Sequence, residues 1–330
     1  MAEYIIDTNV LSYYIWGKLI KANETKGGNI LVFCSKKGGG GYSLYSCQIK
    51  HNNKIVDEVD LAEGEVESLK NTADGYRKIG ESYEIYFNES SVNKLRNAIS
   101  RIKNICSTND CYVPPEIPIA FKDGNIKDLF RQSIRGRMVF APQEREFNKR
   151  LREFFREVNA RVLVDGDLLN KLEPRYRNLL LDNIKRTVGD EYLYKDEENR
   201  FYPVVRITDG KNVVTYDTKY KVLNINGRLV KLDEETLKKH PALRNVVEVL
   251  ERSPYDINKI HEALKTLYHS RIRDFRIEKS KEFEPEKAYI DSYLVSVAHG
   301  DVKVITADRG LKTGFTSSVT PLNKENIELL

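Results

Sequence analysis

An α/β fold is what the sequence predicts, with a parallel sheet built from the two ends of the chain and α+β regions inserted between them. Three observations lead there. Near the start, the apolar run Glu3 to Ile6 stops at Asp7, and a helical pattern follows with Val10, Leu11, Tyr14, Ile15 and Leu19 on one side. Near the end, a helix over Ala288 to His299 carries Ile290, Leu294, Val297 and Ala298 along one face and runs into the apolar strand Lys303 to Thr306. A helix leading into a buried strand implies an α/β layer with the strand covered on both sides. Between these ends, Tyr202 to Val230 alternates apolar and polar residues through Asp209-Gly210 and Asn226-Gly227, the pattern of a small antiparallel meander.

The remaining elements follow in order. Lys26-Gly27-Gly28 closes the first helix, Ile30 to Phe33 is a buried strand, and Gly38 to Gly41 is a turn. Tyr42 to Ile49 and Lys54 to Val59 form a hairpin around Asn52-Asn53. Helices are expected near Glu65 to Ile79 and Ser91 to Asn104, and Pro114, Pro115 and Pro118 mark a boundary. Arg137 to Ala141 has strand character, and Pro142 suits the first turn of a basic helix reaching Val158. Further helices are expected at Glu173 to Lys185, Glu234 to Leu250 and Ile257 to His269. The division predicted is a core from 1–26 and 283–330, with 121–160 as a candidate third piece, and inserted regions at 27–120 and 161–282.

Composition narrows the classes. The 330 residues are 40% hydrophobic and 31% charged, a globular balance. No run reaches the roughly 20 apolar residues of a membrane span, and the opening segment has no basic leader, so a cytoplasmic protein is expected. The net charge of +5 is concentrated: Lys122 to Arg161 holds 11 Lys and Arg against 6 Asp and Glu, an excess of 5. Such a segment suits a polyanion, although a solvated helix face has the same composition. The Lys- and Glu-rich bias is compatible with a thermophile. Cys34, Cys47, Cys106 and Cys111 show no paired CxxC spacing and no His motif accompanies them, which argues against structural zinc. Cys106 and Cys111 could pair across a short loop, and buried free thiols are the reading preferred. The Gly38 to Gly41 run lacks the Lys-Ser/Thr of a phosphate loop.

The chemistry-bearing residues sit at the two ends. Asp7 directly follows one buried strand and Asp308 another, and acids just past the carboxyl ends of parallel strands stand where ligands gather. Asp291 adds a third carboxylate near the start of the last long helix. Three converging carboxylates make an oxygen site for Mg²⁺ or Mn²⁺. Because Asp308 follows a buried strand, its charge is expected to need compensation by metal or by Thr306.

The segment Tyr4-Ile-Ile-Asp-Thr-Asn-Val-Leu11 resembles the opening motif of PIN-domain nucleases. The segment from Asp291 through Val304-Ile-Thr-Ala-Asp308-Arg-Gly-Leu311 resembles their closing motif. Asp-Thr-Asn alone is more often a capping motif than a metal site. The resemblance implies a PIN-like core and metal-dependent cleavage of nucleic acid, RNA rather than DNA. Asp7, Asp291 and Asp308 would then be catalytic metal ligands, with Thr8, Asn9 and Thr306 orienting them. The departure is the long path between first and third acids, which leaves the family's middle Glu without a clear counterpart. Glu146 is the leading candidate, followed by Glu144 and Glu116. Arg150, Arg152 and Arg156 on the basic helix, and Arg271, Arg273 and Arg276 in a second cluster, are candidates for gripping phosphates. His299 is expected to serve its helix C-terminus and Asp301 to be a loop residue.

Two other readings stand beside this one. In the first, the PIN-like core has no activity and the chain binds nucleic acid or acts as a scaffold. In the second, residues 28–105 form a ribonuclease H-like module, against which stands the absence of an Asp on its first strand, where Cys34 and Ser35 lie. A protein partner or homo-oligomer stays open.

Overall fold

The computed structural model describes residues 2–25, 27–38, 43–114, 145–164, 174–198, 200–208, 213–217, 219–252, 262–263, 265–266, 289–313 and 323–330. Glu116, Glu144, the strand expected at Arg137 to Ala141, the helix at Ile257 to His269 and the Arg271, Arg273, Arg276 cluster lie outside the described residues.

A parallel six-stranded sheet runs through the molecule in the order β15-β14-β1-β7-β8-β9. Its strands are β1 (Glu3–Ile6), β7 (Asp110–Val113), β8 (Ala160–Leu163), β9 (Leu193–Tyr194), β14 (Val302–Thr306) and β15 (Ile327–Leu329). The two chain ends are neighbours: β1 pairs with β14 from Glu3↔Val302 to Ile6↔Ile305. On its other side β1 pairs with β7, Glu3↔Asp110 to Ile5↔Tyr112. Successive side chains alternate between faces. Tyr4 and Ile6 join one core, with Val113, Val162 and the helices α1 (Thr8–Leu19), α3 (Glu89–Thr108) and α4 (Arg145–Val158). Ile5, Tyr112 and Val304 join a second core, with α7 (Pro241–Arg252) and α8 (Tyr289–Val297). Both faces therefore carry core residues, which is why these strands are mainly apolar, with charged residues such as Glu3, Asp110, Arg161 and Lys303 among them.

From β1 the chain adds β7, β8 and β9 to one side, then returns to add β14 and β15 to the other. The winding reverses at the β1–β14 pair, and that is the topological switch point of the sheet. β7 and β8 belong to this central sheet although they lie in stretches the sequence assigns mainly to insertions. Four-residue apolar strands carry too little periodicity to be separated from loop or helix.

Two antiparallel sheets complete the fold. The first, ordered β4-β3-β2-β6-β5, lies between α1 and α3 in sequence. It comprises β2 (Ile30–Lys37), β3 (Leu44–His51), β4 (Lys54–Ala62), β5 (Gly75–Ile79) and β6 (Ser82–Phe87). Asn52 and Asn53 have φ of 47° and 64°, the left-handed pair that a tight two-residue hairpin needs. Helix α2 (Glu63–Thr72) is shorter than the sequence suggests. The expected helix to Ile79 breaks at Asp74-Gly75, beyond which β5 and β6 pair as a hairpin. The second sheet is the expected meander, β10 (Val204–Thr208), β11 (Val213–Asp217), β12 (Val222–Ile225) and β13 (Arg228–Lys231), paired in that order. The helix expected at Glu173 to Lys185 is α5 (Pro174–Val188), and the one expected over Glu234 to Leu250 is two, α6 (Glu234–Lys239) and α7, separated at His240.

All four cysteines are paired, which corrects the preference for free thiols: Cys34 bonds to Cys47 and Cys106 to Cys111. Cys34 and Cys47 are register partners across β2 and β3, while the second bond ties the last turn of α3 to β7. Closing loops of 13 and 5 residues removes chain entropy from the unfolded state, worth about 3 and about 2 kcal/mol. Denaturant midpoints with and without a strong thiol reductant should differ accordingly. Equal midpoints, with reactive thiols in the unreduced protein, would show that the bonds do not form.

Three helices of the first core meet at Glu157. Tyr14 Oη donates to its carboxylate at 2.7 Å, and Lys18 and Lys103 lie at 3.1 and 2.9 Å. Burial pushes the Glu157 pKa up, but the donations from Lys103, Tyr14 and Lys18 outweigh it and bring it down to about 2. A folded value below the unfolded one means that the stabilisation is complete above the ordinary carboxyl pKa and is lost as pH falls from there towards the folded value. With the side chain 32% exposed, solvent screening leaves about 1–2 kcal/mol. Stability measured between about pH 5 and pH 2 should fall less steeply in Glu157→Gln than in the parent. Parallel curves would remove Glu157 from the acid transition.

Candidate functional site at the switch point

The polypeptide leaves β1 at Asp7 and leaves β14 at Thr306, side by side on the carboxyl edge. The Asp7 amide donates to the Ile305 carbonyl at 3.0 Å, extending the ladder one step past β1. Asp7 occupies the N-cap of α1, yet its side chain makes no capping hydrogen bond. Instead Asp7 Oδ2 accepts from the Thr306 hydroxyl at 2.6 Å. That distinguishes it from an ordinary capping aspartate, whose oxygen would turn back to its own helix.

Thr306 is the hub. Its Oγ1 donates to Asp7 and accepts from the Asp308 amide at 2.9 Å and from Asn9 Nδ2 at 3.4 Å. One donor and two acceptor positions are all that a hydroxyl has, and here each is used. Asn9 closes the loop with its Oδ1 accepting from the Ala307 amide at 2.9 Å. The network is shielded: Thr306 is 0% exposed and Asp7 4%. The motif resemblance names Thr306 and Asn9 as orienting residues; the structure brings Thr306 to Asp7 and to the Asp308 amide, and Asn9 to Thr306 and to the Ala307 amide.

Asp308 itself differs from expectation. It is exposed, because the chain has already left the sheet by two residues. One of its oxygens accepts from the Gly310 amide at 2.7 Å, capping the short helix α9 (Arg309–Thr313). The burial cost expected of its charge falls on Asp7 instead.

Asp291 lies in the first turn of α8. That helix precedes β14 and returns along it, so its first turn lies towards the carboxyl edge, about 13 Å from its end. Nothing is described of its side chain.

A hard divalent cation takes oxygen donors. The edge offers the two carboxylates of Asp7 and Asp308 and the hydroxyl of Thr8. The Thr8 oxygen is buried without a hydrogen-bond partner among the described residues, a polar atom in want of a ligand. In donor chemistry this set fits Mg²⁺ or Mn²⁺. Among the described residues no group of three His, Cys, Asp or Glu side chains is close enough to hold one ion, so the described pair needs a third donor.

Glu146 is not brought to that pair. It stands on the first turn of α4, 3.7 Å from Lys149 and 3.8 Å from Arg150. The neighbouring Phe147 amide donates to Glu65 at 2.7 Å, and the Phe147 ring lies 5.9 Å from Trp16. Trp16 is nine residues beyond Asp7, about 13 Å along α1. Of the three arginines named on the basic helix, Arg150 is held by Glu153 at 3.0 Å, Arg152 is half-buried and Arg156 is exposed. His299 lies at the opposite edge with its ring nitrogen 2.9 Å from the Tyr202 carbonyl, and Asp301 is an exposed turn residue.

Nothing supports a ribonuclease H-like site in residues 28–105, since the first-strand position that would need an acid is Cys34, bonded to Cys47. No helix among the described residues is long and apolar enough to cross a membrane.

No family model matches the chain, and no solved structure matches it. It is similar to the CRISPR-associated endoribonuclease Cas13a of Leptotrichia buccalis, at 23% identity over 255 residues. The similarity covers 72% of this chain and 21% of that protein, so the chain spans about a fifth of the length of this curated relative.

Proposed function

We propose that the chain is a PIN-type nuclease that hydrolyses RNA with a carboxylate-bound Mg²⁺ or Mn²⁺ at the switch point. The observation that carries this reading is the Thr306 hydroxyl, which joins Asp7 from one end of the chain to the backbone of Asp308 from the other. That network spans 299 residues of sequence and meets a buried acid at the ligand-binding edge of the sheet. The motif resemblance at both termini and the partial similarity to an endoribonuclease favour RNA.

Asp7 and Asp308, with Asp291 as third acid, would hold the ion; when bound it supplies charge neutralisation at the scissile phosphate and an activated water. Thr306 fixes the orientation of the Asp7 carboxylate at the edge of the sheet. Asn9 holds the Ala307 amide and so sets the turn that presents Asp308. The Thr8 hydroxyl can take a ligand water. No Ser, Cys or His nucleophile is required of the protein.

A second reading, binding without cleavage, draws on one observation: the leading candidate for the middle acid, Glu146, lies near Lys149 and Arg150 and is not grouped with Asp7 and Asp308 among the described residues. The experiment that separates the two is incubation of a labelled single-stranded RNA with Mg²⁺, Mn²⁺ or EDTA. Cleavage with either ion and none with EDTA is expected, together with a melting temperature raised by Mn²⁺, since an ion bound only by the folded state stabilises it. RNA bound but uncut, with a melting curve indifferent to the ions, would establish the second reading.

A further inference from the structure

Of the candidate phosphate-gripping arginines of α4, Arg150 is held by acids of its own helix, and that helix begins beside Trp16, about 13 Å along α1 from Asp7, which raises the question of what holds a polyanion beside two carboxylates. Several cations around the core are paired with acids. Lys303 and Arg101 both face Glu328, at 3.0 and 3.3 Å. Lys18 and Lys103 share Glu157, and Arg150 reaches Glu146 and Glu153. Two cations at the switch point are different. Arg309 follows Asp308 directly and is exposed, and Lys312 stands half-exposed one turn later on α9. No ion pair joins either side chain to an acid among the described residues, Asp308 included.

The geometry keeps them where they are. Asp308 accepts from Gly310, which fixes the turn into α9, and Thr313 Oγ1 donates to the Arg309 carbonyl at 3.0 Å. Residues three apart on a helix lie on the same side, so Arg309 and Lys312 present two positive charges together. Two like charges on one side of α9 beside the acid edge make a local positive potential that attracts an anionic strand.

We infer that Arg309 and Lys312 form the subsite for the phosphodiester backbone next to the bond being cut, and so position a single RNA strand across Asp308. This rests on the nuclease reading above. Arginine can take a phosphate with two parallel N–H donors, whereas lysine serves as a point charge. Contacts of this kind carry no base preference, so the subsite sets strand position and affinity and not sequence. Both residues are positioning residues, since neither reaches the metal acids by any described contact.

The test uses the full chain and a fluorescently labelled single-stranded RNA, with the matching DNA in parallel. Binding is read by anisotropy in EDTA over a range of salt, and cleavage by initial rates in Mn²⁺. The double variant Arg309→Gln, Lys312→Gln should bind RNA about tenfold more weakly, and its log–log salt slope should shrink by about 1.4, two single-strand phosphates' worth of released counterions. KM should rise by the same factor with kcat nearly unchanged. Arg309→Lys in an otherwise intact protein should recover most of the salt slope, which a merely structural role would not produce. Equal affinity and equal slope in parent and double variant overturns the subsite, as does a parent protein that binds no RNA. A parent that binds with the expected salt slope but never cuts leaves the subsite standing and sinks the nuclease reading alone. DNA bound as strongly as RNA would assign the subsite to phosphate in general, and stronger binding of DNA would overturn the RNA strand as its occupant.

Discussion

Asp308→Asn should abolish metal-dependent RNA cleavage while leaving the melting temperature in EDTA nearly where it was. The side chain is exposed, and the one protein contact described for it is Oδ1 accepting from the Gly310 amide, which asparagine can also do. What asparagine cannot supply is the negative charge. Losing one preorganised electrostatic contact in a transition state costs on the order of two to three powers of ten in rate. The parallel change Asp7→Asn should remove activity as completely but behave differently in stability. Asp7 is buried, and its oxygen receives the Thr306 hydroxyl at 2.6 Å, a charge-assisted bond that the amide weakens. Relief of a buried charge opposes that loss, so the net shift reports which is larger. Mn²⁺ should raise the melting temperature of the parent and of neither variant. Asp308→Asn protein that still cleaves at the parental rate would end the role given to that carboxylate, whatever its stability.

How much of this was legible in the sequence depends on the length of each signal. Asp7 and Asp308 are legible because each follows an apolar strand next to a helical pattern, directly for Asp7 and two residues on for Asp308, and the two are joined through Thr306. The hairpin at Asn52-Asn53 was visible because few residues other than Asn or Gly accept φ values of 47° and 64° in succession. By contrast β7 and β8, four residues each, look like any short apolar run, and they place the intervening helices in the core rather than in insertions. The disulfide connectivity is a property of strand register, Cys34 opposite Cys47, which spacing does not state. The basic stretch of α4 shows what a charge count leaves out: it gives the net excess but not which cations meet a Glu three or four residues away, as Arg150 meets Glu146 and Glu153. Glu65 gave no functional signal, yet it governs where that helix lies.

Glu65→Ala should be among the most destabilising single changes in the protein. The side chain is 2% exposed and spans two elements far apart in sequence. Oε2 accepts from the Ala62 amide at 2.8 Å, holding the start of α2, and Oε1 accepts from the Phe147 amide at 2.7 Å, holding the start of α4. Both amides belong to first turns, whose N–H groups have no partner within their own helix. A carboxylate there also meets the positive end of each helix dipole. Alanine would leave both buried N–H groups unsatisfied, at about 1–3 kcal/mol each with more for a charged acceptor, so a total of about 3–5 kcal/mol is expected. Glutamine keeps one carbonyl oxygen but turns an NH₂ towards the other donor, so it should lose roughly half as much. The order parent, Gln, Ala in denaturant midpoint is the expected result. Because Phe147 packs on Trp16, the alanine variant should also change tryptophan fluorescence before global unfolding, as the first turn of α4 lets go. If Gln and Ala are equally stable to within about 0.5 kcal/mol, the two hydrogen bonds do not hold α4, and its position must come from the apolar face of Phe147, Leu151, Phe154 and Phe155 alone.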